Sequence, residues 1–138
     1  MEKKTIIEPL IYFDVINKND RIYIAEEVMP KVKELRKKIK EQGILYGQLG
    51  HPSNTRTMFN KVSHVINRIF KKKNVLYGEL TLLNTTNGKI LTKNLSKYVF
   101  RSRAAGIVDE NKIVRIKELY SFDAVLKSKD SFIEQSSK

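Results

Sequence analysis

The sequence contains no cysteine. That excludes a disulfide framework, a thiolate metal site and a thiol nucleophile. Histidine is nearly as scarce: with two in the chain, a three-ligand zinc site would need carboxylates to complete it, and no His-Glu-x-x-His or comparable spacing is present. No run approaches the roughly 18 uninterrupted apolar residues of a membrane span, and the opening segment Met1 to Pro9 lacks the apolar core of a signal peptide. The chain is therefore expected to be soluble, without membrane contact, and to stay in a cytoplasm. Around Asn87-Gly88-Lys89 the spaced glycines and Lys-Ser/Thr ending of a phosphate loop are missing, so nucleotide hydrolysis has no support. No internal repeat is found.

What remains is a chain of 138 residues, 41% apolar and 30% charged, which suits one compact domain with a modest core. The domain is expected over residues 1–126, with a loose Ser- and Lys-rich tail at 127–138. Lys and Arg number 27 against 15 Asp and Glu, a net charge of +12 that favours anionic partners. The charge gathers at Lys31 to Lys40, at Arg68 to Lys73, and at Arg101 with Arg103. It lacks the interleaved aromatics of a single-strand binding platform, so a solvated basic surface with non-specific nucleic acid contact is the plainer expectation.

Residues 5–16 alternate loosely around Ile7, Leu10, Tyr12 and Val15 and predict a first strand, ended by the turn-rich run Asn17-Lys18-Asn19-Asp20. From Ala25 to Gln42, Val28, Val32, Leu35 and Ile39 recur at helical spacing. Two Glu open that stretch and Gly43 stands where a helix stops. Gly43 to Pro52 reads as a short strand running into a tight loop, with His51 at the strand end. Residues 62–70 fit both a helix and a strand, and their β-branched content tips the balance to a strand. Residues 74–83 alternate with Leu76, Gly78, Leu80 and Leu82 on one side, followed by a turn at Asn87-Gly88. Lys89 to Lys97 predicts a short helix; Tyr98 to Arg103 and Ile113 to Val125 predict strands. Strands and helices do not alternate regularly, which points to an α+β fold on a curved sheet or barrel with packed helices.

Nucleophilic hydrolysis needs a hydroxyl, a base that takes its proton near neutral pH, and donors for the oxyanion. Ser102 and His51 supply the first two residue types. Their setting resembles a known family. Asn17-Lys18-Asn19-Asp20-Arg21-Ile22-Tyr23-Ile24, Gly47-Gln48-Leu49-Gly50-His51-Pro52, Val62-Ser63-His64-Val65-Ile66, Tyr77-Gly78-Glu79 through Lys89, Phe100-Arg101-Ser102-Arg103-Ala104-Ala105-Gly106 and Ser121-Phe122-Asp123-Ala124-Val125 are similar, in that order, to blocks of the prohead (capsid maturation) serine proteases of tailed bacteriophages. The resemblance runs from about Pro9 to Phe132. Gln48 stands where the family usually has Glu, Arg101-Ser102 where it has a serine pair, and Ala104 where it has Gly.

The resemblance implies a fold similar to prohead proteases and herpesvirus assemblins, and a serine endopeptidase needing no cofactor. Ser102 is then the nucleophile and His51 the general base. Asp123 orients His51, with His64 as the alternative third member, since the assemblins use a second histidine. Arg103 and Gly106 mark the oxyanion and substrate segment. The implied partners are the major capsid protein and scaffold proteins, met as an oligomer or on assembly, inside the immature head in the host cytoplasm. The departures at Gln48, Arg101 and Ala104 motivate the alternative, an inactive capsid or scaffold-associated protein that keeps the protease fold.

Overall fold

The computed structural model describes residues 4–17, 19–50 and 57–127. Among them the chain runs β1 (Lys4–Tyr12), α1 (Ala25–Gln42), β2 (Tyr46–Gln48), β3 (Val62–Lys72), β4 (Val75–Leu82), α2 (Thr86–Lys93), β5 (Tyr98–Val108) and β6 (Val114–Leu126). One-turn 3-10 segments, Phe59–Lys61 and Leu95–Lys97, lead into β3 and β5.

Helix α1 begins and ends where its sequence says. Ile24 offers no side-chain cap, and the Asp14 carboxylate instead accepts from Ala25 N–H at 3.1 Å, at the end of the helix where the backbone dipole favours negative charge. At the other end Gly43 takes φ +80° and its N–H bonds Ile39 O at 2.7 Å, a left-handed stop that a side chain would resist. The buried stripe Val28, Val32 and Leu35 joins the core, and Arg36 Nε donates to Ile69 O at 2.8 Å, tying α1 to β3.

The strands form a four-stranded sheet in the order β1-β4-β3-β2 and a separate two-stranded β5-β6 hairpin, with antiparallel pairing throughout. In β4, Leu76, Gly78, Leu80 and Leu82 are the buried set, as their alternation predicts. Residues Val62 to Ile66 of β3 are buried one after another. A strand covered on both faces loses the period of two, which is why this stretch also matched a helical pattern.

The two sheets do not close into a barrel, contrary to the expectation of a curved sheet or barrel. Strand β2 has only three residues, and its continuation makes a single parallel bridge, Leu49 to Ala124, with β6. At the opposite side β1 lies against β5 without a hydrogen-bonded ladder. Between the sheets Phe13, Phe100, Phe122, Ile66, Leu76, Leu80 and Leu91 share one buried cluster with the α1 stripe. Each phenylalanine so buried contributes about 2–3 kcal/mol.

The turn expected at Asn87-Gly88 is instead the first turn of α2. Thr85 decides this: its Oγ1 accepts the Gly88 N–H at 3.0 Å and its hydroxyl donates to Val62 O at 2.7 Å, so an N-cap takes the place of a hairpin turn. Gly88 is needed for closeness, since a Cβ there would lie 2.0 Å from Leu83 O.

Candidate active site

Strand β6 is the axis of the site. In the hairpin register Arg101 faces Asp123, Ser102 faces Phe122, and Arg103 faces Ser121. Residues opposite one another across an antiparallel pair share a face. Arg103, Ser121 and Asp123 therefore project to one side of the hairpin, and Ser102 with Phe122 to the other.

The first side holds a buried polar cluster. Asp123 is 1% exposed and Arg103 3%. Arg103 Nε donates to Asp123 Oδ2 at 2.9 Å and Nη2 to Oδ1 at 3.1 Å, a two-pronged pair suited to the planar guanidinium. Asp123 Oδ1 also accepts the Gln48 N–H at 3.0 Å, and Arg103 Nη1 donates to Thr57 Oγ1 at 2.9 Å. Gln48 is buried, and its side-chain carbonyl accepts the Met58 N–H. Ser121 Oγ donates to Tyr46 O at 2.6 Å, and Gly50 N–H to Ala124 O at 2.7 Å. Side chains and single backbone bonds thus fasten β2 to β6 where no ladder does.

His64 lies under this junction. It is fully buried on β3, its ring edge-to-face with Phe100 at 5.2 Å between centroids. Nε2 stands 2.9 Å from Phe122 O, which can only accept, so Nε2 carries the proton and donates; Nδ1, 2.8 Å from Ser63 Oγ, accepts. Both ring nitrogens are engaged by the framework. Burial lowers its pKa to about 4, a shift opposed by the hydrogen bond to Phe122 O and assisted by the Arg103 charge.

That shift has a sign. The folded pKa lies below the 6.5 of the free side chain, so unfolded chains bind more protons between those values. The stability His64 contributes is complete above pH 6.5 and is lost as pH falls toward 4. Between pH 7 and pH 5 the loss should be about 2 kcal/mol. Urea midpoints across that range should fall in the native protein, and His64→Gln should show a smaller fall; equal slopes in both would remove His64 from the account.

Gly47 pairs with His64 across β2 and β3. A Cβ at Gly47 would lie 2.0 Å from His64 Nε2 and 2.4 Å from Phe122 O, in the path of the hydrogen bond between them. Gly47→Ala should therefore cost about 2 kcal/mol in urea unfolding by forcing the ring off its carbonyl. A loss under about 0.5 kcal/mol, the range of an ordinary surface change, would show that the junction can yield.

On the other face, half-buried Ser102 lines a cavity of about 40 Å³ together with Leu10, Ile11, Tyr12, Asn17, Asn19, Tyr23 and Arg101. Among the described residues its hydroxyl has no hydrogen-bond partner. The structure thus brings Asp123, Arg103 and Gln48 together and sets Ser102 apart from them across the hairpin. Gly106 lies farther along β5, exposed and opposite Ile116, past register shifts at Arg103/Ala104 and Ala105/Gly106. His51 and the tail at 128–138 lie outside the described residues.

No protein family model matches the sequence, and no curated protein sequence does. Among solved structures, the capsid assembly protease gp21 of bacteriophage T4 superposes with a TM-score of 0.70, covering 88% of this chain and 80% of that one at 21% identity. The two chains share a fold. That agrees with the overall architecture the prohead protease resemblance implies; the described sheets, however, are two and open. Among the described residues, no helix is long and apolar enough to cross a membrane.

Sequence reasoning left Gln48, Thr57 and Ser121 out of the site. Gln48 did carry a signal, as the departure from Glu in the Gly47 to Pro52 block. Thr57 and Ser121 carried none, because their partners are 46 and 75 residues away in sequence.

Proposed function

We propose that this protein is a serine endopeptidase of phage head maturation, acting on scaffold and capsid proteins within the immature head in the host cytoplasm. The observation that carries the reading is convergence on β6. Gly50, the residue before His51, bonds Ala124, the residue after Asp123, at 2.7 Å, and Ser102 pairs with Phe122 on the same strand. The three blocks to which the family resemblance assigns the catalytic groups thus meet at residues 122–124. The shared fold with a phage capsid assembly protease supports the same assignment.

Ser102 Oγ attacks the scissile carbonyl. His51 takes its proton and passes it to the leaving amine, and a water then releases the acyl group by the reverse path. Asp123 is favoured over His64 as the third member, because both nitrogens of His64 already serve Ser63 and Phe122. Asp123 acts as a positioning residue, holding Gln48 N–H and so the backbone that leads to His51. Backbone amides after Ser102, where the hairpin register shifts, supply the oxyanion donors.

A second reading, an inactive relative that keeps the fold for assembly, is favoured by the placement of Ser102 and Asp123 on opposite faces of the hairpin. Incubating the purified protein with its capsid and scaffold proteins under assembly conditions, with cuts mapped by mass spectrometry, separates the two. Defined cuts that disappear with Ser102→Ala support the endopeptidase. Their absence from the native protein moves the conclusion to the structural relative.

A further inference from the structure

The cavity beside Ser102 is a built site. Asn17 Oδ1 accepts the N–H groups of Asn19 (2.9 Å) and Arg21 (3.1 Å), and Asn17 N–H bonds Arg21 O at 2.9 Å. This side-chain-closed turn, with Asp20 at φ +63°, fixes residues 17–21 against the end of β1. Asn19 is left 3% exposed, and its Oδ1 is a buried acceptor with no partner. A buried carbonyl left unmatched is costly, so a native fold that keeps one has a use for it or a ligand to fill it.

The same wall carries donors. Arg101, which gives one N–H to Phe100 O at 3.1 Å, and the hydroxyls of Tyr23 and Ser102 line the cavity beside Asn19. Leu10 and Ile11 line its apolar side. A carboxylate would satisfy the guanidinium but set its lone pairs against Asn19 Oδ1. A hydrocarbon would satisfy neither group. An amide satisfies both, its N–H donating to Asn19 Oδ1 and its carbonyl accepting from Arg101 or Tyr23.

We propose that this cavity is a substrate subsite for an amide group, either a carboxamide side chain or a backbone peptide unit of the chain being bound. The placement next to the scissile bond rests on the reading of Ser102 as nucleophile; the amide selectivity does not.

The test uses the full chain and small probes at millimolar concentration, the range that fragments of about five heavy atoms reach. N-methylacetamide stands for a backbone unit, propionamide for a side chain, methyl acetate for the same shape without the N–H, and propionate for the carboxylate. Followed by amide NMR shifts, one or both amides should perturb residues 17–23 and 101–102, at least threefold more strongly than methyl acetate or propionate. Which amide prevails tells side chain from backbone. Asn19→Leu should abolish the shifts and Asn19→Asp, which keeps an acceptor, should preserve them; if neither variant folds, the amide against ester comparison stands alone.

Equal response to amide and ester, preference for propionate, or no localised shift overturns the proposal. Amide binding without any capsid or scaffold cleavage would uphold the subsite and reject the endopeptidase. Cleavage without amide preference would do the reverse.

Discussion

Ser102→Ala should lower the rate of substrate cleavage about 10⁴- to 10⁶-fold, the range over which loss of a serine nucleophile leaves only binding and oxyanion stabilisation. His51→Ala should cost a similar factor, and the double variant little more than either alone, because nucleophile and base act as one unit. Stability should hardly change with Ser102→Ala. The hydroxyl makes no hydrogen bond among the described residues, so its removal strands no partner. The informative comparison is cleavage rate against urea midpoint for the same variant. A rate that collapses while the midpoint stays within about 0.5 kcal/mol assigns Ser102 to chemistry. A rate that persists shows that another residue attacks, or that the observed cuts come from a contaminating protease.

The elements read well where one face is buried and poorly elsewhere. Helix α1 shows its stripe Val28, Val32 and Leu35 because its opposite face is polar, and β4 shows its alternation for the same reason. Strand β3 hides its period, being covered on both sides from Val62 to Ile66. Asn87-Gly88 misleads because local turn preference was outweighed by the Thr85 cap and by the contact of Gly88 with Leu83.

The site was legible as an order of blocks but not as an arrangement. Arg103 reads from sequence as one of two alternating cations free to meet solvent or an acidic partner, yet it is buried against Asp123. Charged residues are buried only with partners, and the partners of Asp123 are 20 and 75 residues distant. Single-sequence patterns carry no information at that range. The same holds for Asn19, which looks like one more turn residue until the fold places it beside Ser102.

The largest stability effects should follow from breaking the Arg103–Asp123 pair. Asp123→Ala strands a buried guanidinium and the Gln48 N–H together, and Arg103→Ala strands a buried carboxylate and Thr57 Oγ1. Each should cost about 3–5 kcal/mol, because a charge left alone in the interior loses its partner without regaining water. Arg103→Lys should recover only part of this, since an ammonium cannot span both carboxylate oxygens and still reach Thr57. Combining Arg103→Leu with Asp123→Leu should cost clearly less than the two single changes summed, as no unpaired charge then remains. Additive losses, or single losses near 1 kcal/mol, would mean that water reaches the pair in solution. The pair also bears on activity. Gln48 and Thr57 lie on either side of the stretch that contains His51, and both are bonded to it. Arg103→Lys should therefore lower cleavage at temperatures where the fold is still fully populated, with kcat falling more than KM changes. An unaltered kcat in a folded Arg103→Lys protein would confine the cluster to stability alone.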